Sequence, residues 1–587
     1  MSTRQAARLL VLLAALAAVS VPERPAAEAS SAAATCPPDA LGPMLPDAPW
    51  LAIQPHFRSH QKPVPAGAGG AVSRQSDDPG SRQCASSTGF GRTAASQLID
   101  RTTAPNTSGD GIALSLSEQI GAGRGDWFRE ESSSFIINRD PFRAIRRGRQ
   151  LFQRKFTVFG GLGPLLGDGF GDIDRDRIIG AGLTDSCAAC HGRPRGSAGF
   201  GGDVVTRPDS RDAPHLFGLG LKEMLADEMT AELRAIRDVA VVAALREGRT
   251  VRRPLVAKGI SFGHISALPD GSVDVSAVNG VDPDLRLRPF FAHGETVSIR
   301  EFIVGALNAE MGLQVADPEL TAADAGARVV TPAGMVLDGG RDNIEGPPPG
   351  AGELDPVVVD YLEFYLLNYF KPGRGESTPA TERGQRVMQQ IGCTRCHVPD
   401  LGIARDRRVA DVETVFDPVR GQFNRLFATA MPLFSSAHDV PGMPSLKLPL
   451  HRSFMVRNIY TDLKRHDLGP AFHEREYDGT VRREFLTTPL WGVGSTSPYG
   501  HDGRSVNLVE VILRHGGEAQ DERDNFAALP AALQQTVVSF LNSLVLFPPD
   551  DTASNLDPGD PGAPGFPQYG HGSIKLTVLF NDSRRIE

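Results

Sequence analysis

Helix-like spacing of apolar residues recurs at several places along the chain. In Ala144–Phe156 and Glu382–Gly392 the apolar residues fall at helical intervals, and Val357–Phe370 is apolar almost throughout. These patterns predict two amphipathic helices and one strongly apolar helix. The apolar helix is expected to end at Lys371-Pro372-Gly373, because proline cannot continue a helix. The hydrophobic pattern therefore predicts a mainly α fold.

Composition adds long irregular segments to this picture. The 587 residues include 63 Gly and 45 Pro, a share above the usual ~12%, so short helices joined by long loops are expected. Residues 30–130 are rich in Pro, Gly, Ser and Thr, which predicts an irregular N-terminal extension. A net charge of -9 argues against a nucleic-acid binder, because such proteins carry a basic face.

The N-terminus has the pattern of an export signal. Arg4 and Arg8 precede the apolar run Leu9–Val21, which is too short for a bilayer span of roughly 20 residues but suits a secretory signal. Small residues follow, and we expect cleavage after residue 29. An uncleaved membrane anchor is the alternative. Periplasmic or secreted location is expected, with no membrane span after the signal is removed.

Four of the six cysteines fall into two copies of one motif. The sequences SCAACH and GCTRCH share the pattern Cys-x-x-Cys-His, the attachment motif of c-type haem. Its two thiols bond to the haem vinyl groups, and the adjacent histidine ligates the iron. The expected cofactors are therefore two covalently bound c-type haems. The attachment and ligand residues are Cys187, Cys190, His191, Cys393, Cys396 and His397.

Other uses of these cysteines fit the spacing less well. A four-cysteine zinc site wants its pairs about 15–20 residues apart, and these motifs are far more widely separated. A thioredoxin-like redox pair does not need the following histidine. Cys36 and Cys84 remain, and in an oxidising compartment they can pair as a disulfide or stay free thiols.

The two motifs define an internal repeat, in which a helix leads into each haem site. We expect a signal peptide at 1–29, followed by the extension. An N-terminal haem domain at 131–372 and a C-terminal cytochrome c-like domain at 373–550 come next, and 551–587 forms a tail.

A second ligand for the C-terminal haem iron is predicted by helical spacing. Leu508, Val511, Ile512 and His515 follow the i, i+3, i+4, i+7 pattern and share one helical face. Gly516 then favours the end of the helix. His515 is thus expected to face the core and the haem, although a histidine at such a position can also be a packed core residue.

The segment Thr487–Ala519 resembles the C-terminal signature of the di-haem bacterial cytochrome c peroxidase superfamily, closest to its di-haem oxidoreductase, thiol-oxidoreductase-like branch. The resemblance covers roughly Ala144–Leu546. In these peroxidases a methionine fourteen residues after the His of His-Asp-Gly ligates the C-terminal haem, and His515 holds that position here. The resemblance implies a His397/His515 pair, which is typical of a closed, low-spin electron-transfer haem.

The N-terminal haem departs from the peroxidase pattern on its distal side. The stretch that carries a distal histidine in the family has none here, and His215 is more readily explained by packing. The resemblance therefore implies a five-coordinate iron. Glu310 matches the family's catalytic Glu, and burial would raise its pKa and suit it to proton transfer. Arg300 stands where the family has Gln, and His293 is a further candidate for the distal wall.

The resemblance implies three further features. A calcium ion lies between the domains of these peroxidases, and its ligand positions correspond to Thr496, Pro498 and Asp212. Oxygen donors of this kind suit calcium. Trp491 is either an electronic bridge between the haems or an ordinary core residue. His466 also matches a family element, without an assigned role.

The sequence thus predicts a periplasmic di-haem c-type cytochrome oxidoreductase of the cytochrome c peroxidase type. Electrons from a small cytochrome or cupredoxin would enter at the C-terminal haem, and hydrogen peroxide would be reduced at the N-terminal haem. Two alternatives remain. The scaffold also resembles di-haem oxygenases of the rubber-oxygenase type, which act on dioxygen, and the protein can instead be a non-enzymatic electron carrier.

Overall fold

The computed structural model describes residues 116–156, 184–192, 197–201, 203–204, 211–347, 352–369, 373–375, 377–412, 414–417, 422–426, 430–476 and 479–546. All of them belong to the compact unit Ala85–Glu587. The signal peptide, most of the predicted extension, the Cys36–Cys84 pair and the tail lie outside the described residues. In the part that is described, no helix is both long and apolar enough to cross a bilayer.

Twelve α-helices are found within the described ranges. In chain order they are α1 Leu116–Ile120, α2 Ser133–Arg139, α3 Pro141–Gln153, α4 Cys187–His191, α5 Leu219–Glu247, α6 Ile299–Ala309, α7 Pro318–Asp324, α8 Val357–Asn368, α9 Pro379–Gln390, α10 Leu508–Arg514, α11 Gln520–Ala527 and α12 Ala531–Asn542. Helix α1 lies within the range predicted to be irregular.

The strands are short and pair antiparallel in small sheets. In the first half of the chain they are β1 Asp203–Val204, β2 Arg211–Asp212, β3 Val251–Ala257, β4 Ile260–Ala267, β5 Val273–Asp274, β6 Arg328–Val330 and β7 Val336–Asp338. In the second half they are β8 Gly373–Arg374, β9 Leu401–Ile403, β10 Ala410–Asp411, β11 Thr414–Asp417, β12 Gln422–Leu426, β13 Met431–Pro432, β14 Phe434–Ala437, β15 Leu446–Pro449, β16 Phe454–Val456, β17 Arg465–Asp467, β18 Glu474–Arg475, β19 Val481–Arg482, β20 Glu484–Leu486 and β21 Leu544–Val545. The pairs are β1–β2, β6–β7, β8–β21, β9–β16, β10–β13, β11–β12, β14–β15, β17–β20 and β18–β19, and β3–β4–β5 form a three-stranded sheet.

The predicted mainly α fold is wrong, because the structure has about 37% helix and 18% strand. The hairpin β3–β4 shows the missed signal. Leu255 and Ala257 are buried while Arg253 and Val256 are exposed, which is the alternation of a half-buried strand. Alternation of buried and exposed residues extends over only a few residues in each strand. The helical spacing of apolar residues is therefore the stronger pattern in the sequence.

Helix α8 lies at the centre of the N-terminal core, where all twelve of its residues are buried. It covers Val357–Asn368 of the predicted apolar helix and ends four residues before Pro372. Helix α3 crosses it at Gly148, where a Cβ would lie 2.1 Å from the Tyr361 carbonyl oxygen. The close approach therefore requires glycine, and it fixes the helix that leads toward the first haem motif.

A close helix crossing at a glycine also occurs before the second motif. Helix α9 begins with a capping box at Thr378 and Pro379 in its first turn, both favourable at a helix start. It crosses α12 at Gly384, where a Cβ would lie 1.8 Å from the Thr536 carbonyl oxygen. The internal repeat is thus visible as two helix pairs, α3–α8 and α9–α12, each packed through a glycine on the leading helix.

Candidate cofactor site

One cavity of about 500 Å³ is lined by both Cys-x-x-Cys-His motifs. Helices α4, α5, α6 and α10 and the loop before α10 all contribute to its wall. The predicted haem-attachment and iron-ligand residues that line it are Cys187, Cys190, His191, Cys393, Cys396, His397 and His515. The fold therefore brings together residues separated by more than half of the described chain.

The first motif is held in helix α4. The Ser186 side chain accepts a hydrogen bond from the Ala189 amide and caps the helix, as serine commonly does. His191 Nδ1 lies 2.7 Å from the Pro214 carbonyl oxygen. Burial lowers the pKa of His191 to about 4, so the ring is neutral and Nδ1 donates. Its Nε2 is left as the basic nitrogen.

The second motif is held in a tight turn rather than an α-helix. Gly392 has a φ of 99° and precedes a 3₁₀ turn over Cys393–Arg395, a backbone angle that favours glycine. His397 Nδ1 lies 3.0 Å from the Tyr460 carbonyl oxygen, and burial lowers the pKa of this ring as well. Both motif histidines are therefore neutral rings with the proton on Nδ1, and their Nε2 atoms are unprotonated.

His515 lies at the C-terminal end of α10, on the face predicted from sequence. Its Nδ1 lies 2.7 Å from the Val511 carbonyl oxygen, and the Phe472 ring packs edge-on against it at 5.2 Å. Burial, with a smaller contribution from the nearby His397, lowers the pKa of His515 to about 4. The second motif thus has two neutral histidines close to each other in the same cavity.

These donor sets fit haem iron. Iron-ligating histidines usually donate the other ring nitrogen to a carbonyl or carboxylate, which fixes the ring and its tautomer. His191, His397 and His515 all do so. The motif cysteines form no disulfide, and burial raises the pKa of the Cys187 thiol to about 12, which suits an uncharged thioether sulfur better than a metal-bound thiolate.

The wall beyond the first motif is aromatic with one carboxylate. Phe290 and Phe291 both pack on Phe302, with ring centroids 5.8 and 5.1 Å apart, and all three line the cavity. Glu310 caps the C-terminal end of α6 and lines the same space. Burial raises the pKa of the Cys190 thiol and the charge of Glu310 adds to it, so this carboxylate lies close to the first motif.

His215 also lines the cavity, but both of its ring nitrogens are engaged. The Phe217 amide donates to Nδ1 at 3.3 Å, so Nε2 carries the proton and donates to the Trp491 carbonyl oxygen at 3.0 Å. This arrangement supports the packing role expected for His215. Trp491 is buried in the core and lines the cavity, and its electronic role stays a prediction.

Arg300 and His293 were predicted near the haem and lie elsewhere. Arg300 is fully buried in a cluster of carboxylates: Asp317, Glu319, Asp360 and Glu363. His293 pairs with Glu295 at 3.0 Å and with Arg211 at 3.1 Å. Neither residue is in the cavity lining. The resemblance assigns these two positions along the chain, but side-chain direction depends on tertiary packing.

The three positions predicted for calcium lie along one part of the cavity wall. Asp212, Thr496 and Pro498 all line the cavity, and the Asp212 amide donates to the His501 carbonyl oxygen at 3.0 Å. Asp212 and Pro498 both pack within 3.3 Å of a Cβ built on Gly503. One carboxylate beside backbone carbonyls is chemically suitable for calcium, and calcium stays a prediction.

Several cavity residues with ionisable side chains had no predicted role, and His466, Glu522 and Lys222 are among them. His466 lies between Asp462, at 2.9 Å, and Glu518, at 2.8 Å. Glu522 pairs with Arg395 beside the second motif. Lys222 lies in the first turn of α5. Nothing in the local sequence indicates that Lys222 and Glu522 line a cavity, since charged residues usually face solvent.

Comparison with known proteins supports the family resemblance in the C-terminal region. Residues 426–544 match the family described as "Di-haem oxidoreductase, putative peroxidase", which confirms the predicted branch. No curated protein matches. Among solved structures, Kuenenia stuttgartiensis hydrazine synthase pressurised with 20 bar xenon is similar, with 13% sequence identity and a TM-score of 0.29 over 72% of this chain and 94% of that chain.

Proposed function

We propose that this chain, whose residues 426–544 carry the di-haem oxidoreductase pattern, is an exported di-haem c-type cytochrome that reduces hydrogen peroxide. When bound, the haems supply the redox chemistry: electrons enter at the haem of the second motif, and peroxide is reduced at the haem of the first. The electron donor is a small redox protein such as a cytochrome or cupredoxin. Calcium at Asp212, Thr496 and Pro498 belongs to the same proposal.

The unequal number of suitable histidines at the two motifs carries this proposal. His397 and His515 both have Nδ1 bonded to a backbone carbonyl and Nε2 available. At the first motif His191 has this geometry, whereas His215 uses both ring nitrogens. A pair of imidazoles closes an iron to substrate, and a single one leaves a position for an oxidant.

Glu310 is the proton-transfer group in this proposal. Its carboxylate lies close to Cys190 and lines the cavity next to aromatic side chains. A carboxylate in such a place can take a proton from one peroxide oxygen and return it to the other. The rings of Phe290, Phe291 and Phe302 limit the access of water to this wall and lower the local dielectric.

The aromatic wall also favours a second candidate function. Three phenylalanines form a ring cluster in the cavity wall. If the haem held by the first motif kept an open position, an apolar wall of this kind would also suit an oxygenase that binds dioxygen and an apolar substrate. Reduced protein that consumes peroxide supports the peroxidase. A stable dioxygen complex with insensitivity to peroxide supports the oxygenase.

Electron paramagnetic resonance of the purified holoprotein tests the central claim. We expect one high-spin and one low-spin ferric signal, with the high-spin signal changing when the half-reduced protein meets peroxide. Two low-spin signals in every redox state would contradict both enzymatic functions and leave an electron carrier.

Substitution of His515 tests the ligand assignment. His515→Ala should convert the low-spin signal to high-spin, because it removes the second imidazole of that iron. His473→Ala is the control, since His473 pairs with Asp467 and does not line the cavity. An unchanged low-spin signal in His515→Ala would show that another residue ligates this iron.

A further inference from the structure

Lys222 differs from the other cationic side chains of the cavity. Three lysine or arginine residues line it: Arg211, Lys222 and Arg523. Arg211 pairs with Glu474 at 2.6 Å, and Arg523 pairs with Asp524 at 2.7 Å. For Lys222, no acidic partner is found among the described residues. One cation of the cavity wall therefore lacks a counter-ion from the described protein.

The surroundings of Lys222 are apolar. Its Nζ lies 5.6 Å from the centroid of the Phe290 ring, and Leu219 and Phe291 line the cavity beside it. Burial lowers the pKa of Lys222 to about 8. At neutral pH the amine is therefore still mostly protonated, as a cation in a site of low dielectric.

The position of Lys222 relates it to the first motif. Burial lowers the pKa of His215 to about 3, and the charges of Lys222 and His191 add to the shift, so these three side chains lie in one neighbourhood. Lys222 is partly buried, and cations removed from water in proteins are normally paired, because an unpaired charge in an apolar site is costly. We expect the molecule that fills this part of the cavity to supply the anion that pairs with Lys222.

We propose that Lys222 is the counter-ion of the N-terminal haem and that its ammonium group pairs with a propionate carboxylate of that haem. This inference rests on the proposed function, since it requires a haem on Cys187 and Cys190. Propionates are the anionic groups of a c-type haem, and the ammonium supplies the charge that they need in an apolar wall. Lys222 is a positioning residue that also sets the haem potential.

The positive charge of Lys222 should change the midpoint potential of the haem iron. Reduction adds an electron to the haem, and a nearby positive charge stabilises that electron. Lys222→Met keeps the length and apolar body of the side chain but removes the charge. It should therefore lower the midpoint potential of the N-terminal haem. We expect about a tenfold change in the reduction equilibrium, equal to about 59 mV for a one-electron couple.

Lys464→Met is the matched control. Lys464 is nearly buried, and its Nζ lies 5.7 Å from the Phe262 ring, an environment like that of Lys222. It does not line the cavity. Holoprotein variants Lys222→Met, Lys222→Arg and Lys464→Met are compared by haem content, by potentiometric titration at pH 7 and by resonance Raman bands of the propionates.

The expected result is a lowered potential and an altered propionate band in Lys222→Met alone, with Lys222→Arg close to wild type. Equal potentials in all variants, with both haems bound, would overturn the inference. A change of spin state in Lys222→Met would overturn it too, because Lys222 would then be an iron ligand. Wild-type protein without haem on Cys187 and Cys190 would instead refute the proposed function.

Discussion

The two Cys-x-x-Cys-His motifs share one sequence pattern but differ in nearly everything around it. The first lies in helix α4, and His191 is the suitable histidine beside it. The second lies in a 3₁₀ turn, and the cavity provides both His397 and His515 there. The aromatic wall and Glu310 face the first motif, whereas Phe472 packs against His515 beside the second.

This difference shows where the chemistry of such a site is decided. Each motif places two cysteines and one histidine within five consecutive residues. The cavity wall across from each motif comes from other elements of the chain. These are α5 and α6 for the first motif and α10 for the second. Two copies of one motif can therefore carry different chemistry, and the following substitutions test whether they do.

The largest expected effect concerns one carboxylate at each motif. Glu310 raises the pKa of Cys190, and Glu522 raises that of Cys393, in each case in addition to burial. If peroxide reacts at the first motif, Glu310→Gln should lower kcat by about 10²–10⁴-fold, the usual worth of general acid–base catalysis. Glu522→Gln should leave kcat within about twofold, since its partner Arg395 is largely exposed.

Steady-state peroxide reduction with spectra of both haems measures this contrast. The haem spectra should not change in either variant. Equal losses in the two variants would mean that the sites do not differ in proton transfer.

The next effect compares buried charge in the two halves. Arg300 is fully buried against four carboxylates, and Arg300→Met should destabilise the protein by about 3–5 kcal/mol, because it leaves buried charges unpaired. Arg395→Met, at an exposed ion pair of the second motif, should cost about 0–1 kcal/mol. Urea unfolding of both holoproteins measures this. A stable Arg300→Met with lost activity would instead favour a catalytic role.

The local motifs and the helical period were predictable from sequence. The two Cys-x-x-Cys-His motifs can be recognised from the spacing of their residues. Helix α8 and the face of α10 that carries His515 follow from the apolar pattern. These are properties of neighbouring residues. Most of the strands, such as β17 and β20, are runs of two to five residues that take their stability from pairing with distant segments. The longer β3 and β4 were missed although β3 partly alternates buried and exposed residues.

The surroundings of the motifs were predictable only in part. Arg300 was placed near the haem by its position before Glu310, yet its guanidinium points into carboxylates brought from α7 and α8. Lys222 gave no signal, since a lysine in a first helical turn resembles a solvated residue. Side-chain direction depends on tertiary packing, which one sequence does not encode locally.

A smaller effect tests whether the two halves are true structural repeats. Gly148 and Gly384 each allow a leading helix to contact a carbonyl of its partner helix, at 2.1 and 1.8 Å from a built Cβ. Gly148→Ala and Gly384→Ala should each cost about 1–3 kcal/mol, the usual penalty for overpacking. Gly305→Ala in α6 is the control, since nothing lies within 4 Å of its built Cβ. Thermal unfolding that spares one of the two crossing variants would show that the helix pairs are not equivalent.

The smallest effect is a pH dependence with opposite sign in the two halves. Although burial opposes it, interactions with Asp462 and with the free thiol of Cys396 raise the pKa of His466 to about 11, so haem attachment at Cys396 should reduce this shift. Burial lowers the pKa of His293 to about 4. Above pH 6.5 the folded state therefore holds a proton on His466 that the unfolded state has lost, so stability falls as pH rises toward 11. Below pH 6.5 His293 binds a proton in the unfolded state but stays neutral in the folded state. Stability therefore falls as pH drops toward 4.

Each histidine should account for its own limb of the stability curve. His466→Gln should flatten the decline above pH 6.5 by about 1 kcal/mol between pH 7 and 8, and His293→Gln should flatten the rise between pH 4 and 6.5. Urea unfolding of the holoprotein at half-unit pH steps measures both. Because His466 lines the cavity beside the second motif and His293 lies outside the cavity lining, the alkaline limb should also depend on haem at Cys393 and Cys396, whereas the acid limb should not. An acid limb that shifts with haem content would place His293 in contact with the first haem after all.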